Sequence, residues 1–206
     1  MIGPLVICGA LFEQNSTWKL FELGVTDSKL LSPKRRAELY RELKNLCSKI
    51  YVVKISPKEI DERLEVNTNL NELEAIKFAK IIDEAKPDIA IIDCPSPNPR
   101  GFKQLLNRFL EHKCKLIVEN YADRNYKVVG AASIIAKVIR DREIRRIERI
   151  TGKEVGNGYP HDPKAIEFVK NATQSEKQFI RRSWQTYIRI KKEKEQRKLR
   201  DFERNT

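Results

Sequence analysis

Apolar, strand-like runs that alternate with capped helical segments constrain this chain more than any other feature of its 206 residues. Residues 5–12 form a continuous apolar stretch, the pattern of a strand covered on both faces. Residues 50–55, 89–93 and 115–119 have the β-branched content of further strands. Between them lie helix signals. Ser32 reads as an N-cap with Pro33 at the first helical position of a segment reaching about residue 48, and Ser56-Pro57 opens a shorter helix. Asn69 caps a longer one with apolar residues at 73, 76, 79, 81 and 82, and Pro87 ends it. Further helices are expected over 101–111, 127–150, 164–171 and from Trp184 to about residue 203. This alternation predicts an α/β fold whose sheet has parallel members.

Lys and Arg number 41 against 29 Asp and Glu, a net charge of +12. That excess favours a polyanionic partner, since each neutralised phosphate releases condensed counterions, although a charged surface also serves solubility. The four cysteines, Cys8, Cys47, Cys94 and Cys114, form no CxxC pair, and two histidines cannot complete a zinc site. No apolar run approaches the length needed to span a bilayer, and the opening residues lack the basic flank of a signal peptide. A cytoplasmic enzyme or binding protein, with no membrane partner, is expected.

Asp93 and Asp123 each follow an apolar strand, where open α/β sheets gather functional side chains. Were the strands neighbours, the carboxylates would converge and need a divalent cation such as Mg²⁺ or Mn²⁺ between them. Taken singly, each aspartate is more commonly a turn or helix-cap residue. Gly156-Asn157-Gly158-Tyr159-Pro160 is a glycine-bracketed aromatic. It can lie against a sugar or base, or be an ordinary turn with the ring packed as a lid. Asp27-Ser28-Lys29 offers a hydroxyl, amides and a cation to a phosphate, or is simply a capped turn. The small residues of 131–137, which include Ser133 and Lys137, suggest a helix packed closely on a sheet.

In order and spacing these segments resemble ribonuclease HII of the archaeal type. The matching stretches are IGPLVI at 2–7, DSKLLSPKRR at 27–36, NLNELEA at 69–75, Asp93, and AD at 122–123. VVGAASIIAKVIRDR at 128–142, GNGYPHDP at 156–163 and RRSWQT at 181–186 complete them. The resemblance implies a ribonuclease H-like mixed sheet of five strands flanked by helices, with a C-terminal helical extension. Residues 1–150 would form the catalytic core and 151–206 a helical region that grips the duplex. It further implies a monomer that hydrolyses the RNA strand of RNA–DNA hybrids and cuts 5′ to ribonucleotides embedded in duplex DNA. Asp93 and Asp123 match two of four carboxylates that hold two Mn²⁺ or Mg²⁺ ions. Tyr159, with Gly158 beside it, matches the ring that stacks at the ribonucleotide. Ser28 and Lys29 fall at backbone contacts, and Ser133 and Lys137 match a substrate-supporting helix motif.

One departure stands out. The family's first strand ends in Asp-Glu-Ala-Gly-Arg-Gly shortly before the segment matching residues 2–7, and no such motif occurs here. With it would go the central strand and the other two carboxylates. The favoured expectation is that Met1 is internal to a longer, active enzyme, because the rest of the pattern shows no decay; the alternative is a truncated, inactive chain. The rival functions are a non-catalytic basic nucleic-acid-binding protein and a different nuclease of the same fold.

Overall fold

A computed structural model describes residues 1–204, with side chains as far as Gln196. Asn205, Thr206 and the side chains of 197–204, the end of the expected C-terminal region, lie outside the described residues. In chain order the elements are β1 (Leu5–Leu11), α1 (Lys19–Glu22), α2 (Pro33–Leu46), β2 (Lys49–Ile55), α3 (Pro57–Glu62) and α4 (Leu70–Ala85). These are followed by β3 (Ile89–Asp93), α5 (Pro99–Asn107), β4 (Lys115–Glu119), α6 (Ala122–Asn125), α7 (Lys127–Thr151), α8 (Pro163–Lys170) and α9 (Gln185–Arg204). No helix among the described residues is long and apolar enough to cross a membrane.

Helix starts follow local chemistry. The Ser32 hydroxyl accepts from the Arg35 amide at 3.1 Å, Ser56 from Glu59 at 3.1 Å and the Asn69 side chain from Glu72 at 2.9 Å. Asn98 does the same for α5, receiving the Gly101 amide at 3.0 Å. Each satisfies an amide that the helix itself cannot. At the other end of α4, Lys86 turns left-handed (φ 47°), and Pro87 prevents continuation.

Contacts group the chain into two compact units, and the grouping differs from a cut at residue 150. One unit comprises Val6–Lys54 and Glu65–Ile139. Within it β3 and β4 pair in parallel, with Asp93 opposite Glu119. Their inner face packs on α4 and α5 through Ala75, Ala79, Ile82, Ile92, Phe102 and Leu106, and Phe78 meets Phe102 edge-on. A second cluster joins Leu20, Val25, Leu39, Leu43, Ala131, Ile134 and Ile135. Burial pushes the Cys8 and Cys47 thiols up to about 12, so both behave as small apolar groups at neutral pH.

The described strands form two separate two-stranded sheets, β1 with β2 and β3 with β4. The central strand of the family's five, which the sequence is expected to lack, is not among them. The expectation that β1 is covered on both faces is corrected, since only Ile7 in it is buried.

The other unit comprises Met1–Leu5, Ile55–Leu64 and Arg140–Thr206. Its core gathers Met1, Ile2, Ile144, Ile147, Val155, Phe168 and Ile180. An antiparallel bridge joins Ile2 to Ile180, and the Gly3 amide bonds the Phe179 carbonyl at 2.9 Å.

Candidate active site

Parallel pairing brings the C-terminal ends of β3 and β4 to the same edge. Asp93 is the last residue of β3. After β4, the Asn120 side chain donates to the Ser96 carbonyl at 2.7 Å and ties the two strand exits together. Tyr121 then adopts a left-handed conformation (φ 60°, ψ 30°), which throws the chain into α6. Asp123 therefore sits in the first turn of a short helix rather than at the bare strand exit that the sequence suggested. Residue type alone does not announce a left-handed tyrosine.

The two carboxylates are linked through that turn. Asp93 Oδ1 accepts the Ala122 amide at 3.0 Å. Burial holds the Asp93 carboxyl above its ordinary range, and the neighbouring Asp123 charge adds to the effect. The Ala122 amide, the Lys29 charge and the Tyr121 amide act the other way. Asp123 is only 2% exposed, and neither of its carboxylate oxygens has a hydrogen-bond partner. Its nearest cation, Lys29 Nζ, stands 3.9 Å from Oδ2 on a side chain that is 70% exposed.

A buried carboxylate that receives no donor is costly unless a cation compensates it. Among the described residues no group of three or more His, Cys, Asp or Glu side chains gathers into a cage. The donor set is thus two carboxylates. That suits a hard divalent ion such as Mg²⁺, which is commonly held by one or two carboxylates with waters and substrate phosphate oxygens. The residues present fit such a group.

Asp27, Ser28, Lys29, Ser133 and Lys137 belong to the same unit as this pair. Asp27 is buried and caps the turn at 28–30 through the Lys29 amide (2.9 Å), while Arg124 Nε reaches its second oxygen at 3.3 Å. These partners, the Lys29 amide first, draw the Asp27 carboxyl below its ordinary range. Ser28 is buried and shares a hydrogen bond with Ser133 at 3.0 Å, a pairing across 105 residues. Ser133 is within reach because α7 approaches closely. A Cβ at Gly130 would meet the Asp123 carbonyl at 3.1 Å and Val25 at 3.2 Å. Lys137 lies one turn further along α7, half-buried on the same face as Ser133.

Tyr159 and Gly158 belong to the other unit. Gly156 (φ 62°) and Gly158 (φ 71°) are both left-handed, and a Cβ at Gly158 would press within 2.9 Å of Arg140 and Ile144. Only glycine suits either place. The Gly158 carbonyl accepts the Ile2 amide at 3.0 Å. The Tyr159 ring, 39% exposed, has the Arg140 guanidinium over it at 4.1 Å and the His161 ring nearly parallel at 5.8 Å. Sequence reasoning found the tyrosine but not Arg140, which belongs to a helix remote in sequence; it also missed Arg124 and Tyr121, although they flank the Ala122-Asp123 pair that it did find.

Asp162 staples the loop, accepting the Asn157 amide at 2.7 Å and the Lys164 amide at 3.0 Å. These bonds, Asn157's first, hold its carboxyl below the ordinary value of 3.8. A depressed carboxyl stabilises the fold above its unfolded value, and that contribution fades as pH falls through the folded one. Asn keeps one acceptor oxygen but cannot receive both amides. Asp162→Asn is therefore expected to lose about 1 kcal/mol at pH 7, as for one lost hydrogen bond, and progressively less below pH 3.8. Urea unfolding of both proteins at pH 7 and pH 3 checks this; a pH-independent difference would contradict it.

The family model of ribonuclease HII matches residues 1–187. The chain belongs to the ribonuclease HII family. Ribonuclease HII of Methanocella arvoryzae is 41% identical over 189 residues, covering 90% of this chain and 84% of that protein. The crystal structure of ribonuclease H2 from Pyrococcus horikoshii superposes with a TM-score of 0.82 at 38% identity, over 93% of this chain and 92% of that one. The RNase HII of the PCNA:RNase HII complex from Archaeoglobus fulgidus gives a TM-score of 0.74 at 40% identity, over 82% and 79%. The fold is accordingly ribonuclease H-like, and the chain is a ribonuclease H endonuclease.

Proposed function

We propose that this enzyme hydrolyses the phosphodiester on the 5′ side of a ribonucleotide, in RNA–DNA hybrids and at single ribonucleotides within duplex DNA, leaving 3′-hydroxyl and 5′-phosphate ends. The observation that carries the reading is the Asp123 carboxylate, buried and without hydrogen-bond donors, beside an Asp93 whose protonation its charge favours. Asp93 and Asp123 would hold Mg²⁺ or Mn²⁺, two ions in a complete site. When bound, the ions supply water activation and charge stabilisation at the leaving oxygen.

The protein's own groups position the substrate. Lys29 carries an exposed ammonium beside Asp123 and offsets the repulsion between the carboxylates and an arriving phosphate. The Ser28–Ser133 hydrogen bond fixes the turn that presents Lys29. Lys137, further along α7, adds positive charge for the same strand. Tyr159 offers a stacking surface for a nucleotide, and residues 151–206 contribute a basic helical grip on the duplex. The enzyme would act as a monomer in the cytoplasm.

The test is cleavage of a blunt duplex containing one ribonucleotide. Cutting should require Mg²⁺ or Mn²⁺, cease in EDTA, and give 5′-phosphate ends. The net charge of +12 favours one alternative, a protein that binds hybrids without cutting. Salt-sensitive hybrid binding with no metal-dependent product would decide for it.

A further inference from the structure

We propose that Trp18, Phe21 and Tyr121, with Lys19, Arg124 and Lys127, carry a binding track for single-stranded nucleic acid that adjoins the carboxylate pair without using it. Three large rings lie open along two segments of the chain: Trp18 is 54% exposed, Phe21 66% and Tyr121 61%. Each has a cation over it. Arg124 lies 4.9 Å from the Tyr121 ring, Lys127 5.6 Å from Phe21 and Lys19 5.8 Å from Trp18. The two segments are fastened to each other, since Lys127 Nζ donates to the Val25 carbonyl at 2.7 Å and Arg124 Nε to Asp27 at 3.3 Å.

A single exposed aromatic is ordinary, but three in alternation with cations are not scattered surface residues. The chemistry of the track selects its occupant. Its cations suit a phosphate backbone, and its rings suit the faces of bases. Bases within a duplex are already stacked on their neighbours, so only unpaired ones reach such rings. Stacking does not read the 2′-hydroxyl, and the track takes DNA or RNA. It begins at Tyr121, two residues from Asp123, where an unpaired extension of a bound strand would pass. Tyr121 holds its exposed place through a left-handed backbone that bulky residues rarely adopt.

The chain has two tryptophans, so Trp184→Phe leaves Trp18 as the sole emitter. Titrating that variant with oligo(dT) and oligo(U) in EDTA should quench Trp18 emission. Phe21→Ala and Tyr121→Ala should each weaken binding about tenfold, and Phe21→Tyr should restore it. Phe21 is uncharged, so its loss separates stacking from general attraction to a basic protein. Absence of quenching by both oligomers overturns the proposal. So does unchanged affinity of Phe21→Ala, measured by anisotropy of a labelled oligomer with the protein otherwise unaltered. EDTA excludes cleavage, so the outcome is independent of the hydrolysis reading, which is tested on a blunt duplex.

Discussion

Asp123→Asn is expected to reduce metal-dependent cleavage about a thousandfold while stabilising the protein in EDTA. The first effect follows from losing several kcal/mol of charge stabilisation, at roughly a factor of ten per 1.4 kcal/mol. The second follows from burial. Asp123 is 2% exposed and neither carboxylate oxygen meets a donor, so the metal-free fold carries an anion with little compensation. Neutralising it should stabilise the protein by about 1 kcal/mol or more and raise the melting temperature by a few degrees. Adding Mn²⁺ should reverse the ranking. The wild type gains stability through binding to the folded state alone, and the variant gains far less. Thermal unfolding with and without Mn²⁺, together with cleavage rates, reads both effects. A purely structural aspartate predicts the opposite sign in EDTA, and a variant that cuts at the wild-type rate would end the assignment of this residue.

Tyr159→Ala is expected to slow cleavage at a single embedded ribonucleotide by about ten- to a hundredfold, the range for losing one stacking partner. The ring is prepared for such a role. Arg140 supports it at 4.1 Å, and two left-handed glycines let the loop bring its backbone close. Tyr159→Phe should stay near the wild-type rate, since it keeps the π face. A uniform RNA–DNA hybrid should suffer less, because neighbouring nucleotides offer alternative registers. Steady-state rates on both substrates test this. Equal losses for Phe and Ala would mean that the hydroxyl, not stacking, is what matters.

Helix starts were legible in the sequence because a cap is a local device. Ser32-Pro33, Ser56-Pro57 and Asn69 all lie where the pattern put them. The sequence made the approach of Asp93 to Asp123 conditional on their strands being neighbours, and the two strands do pair in parallel and end together. What escaped depends on long-range packing or on backbone states that residue type does not dictate. The left-handed Tyr121, the hydrogen bond between Ser28 and Ser133, and Arg140 beneath Tyr159 are of that kind. The short helix α1 was missed as well; four residues give no periodicity to read. The split into two small sheets accords with the absence of the family's central strand from the sequence.

The amide that Asp93 receives belongs to Ala122, the residue just before Asp123. In the proposed metal site Asp93 would therefore be both a ligand and the peg on which the Asp123 segment hangs. Substituting it is expected to slacken the segment that carries Asp123, so on the proposed reading one replacement would impair both carboxylates. Losses from the two single variants will overlap instead of summing, and in a thermodynamic cycle the pair will behave as one unit.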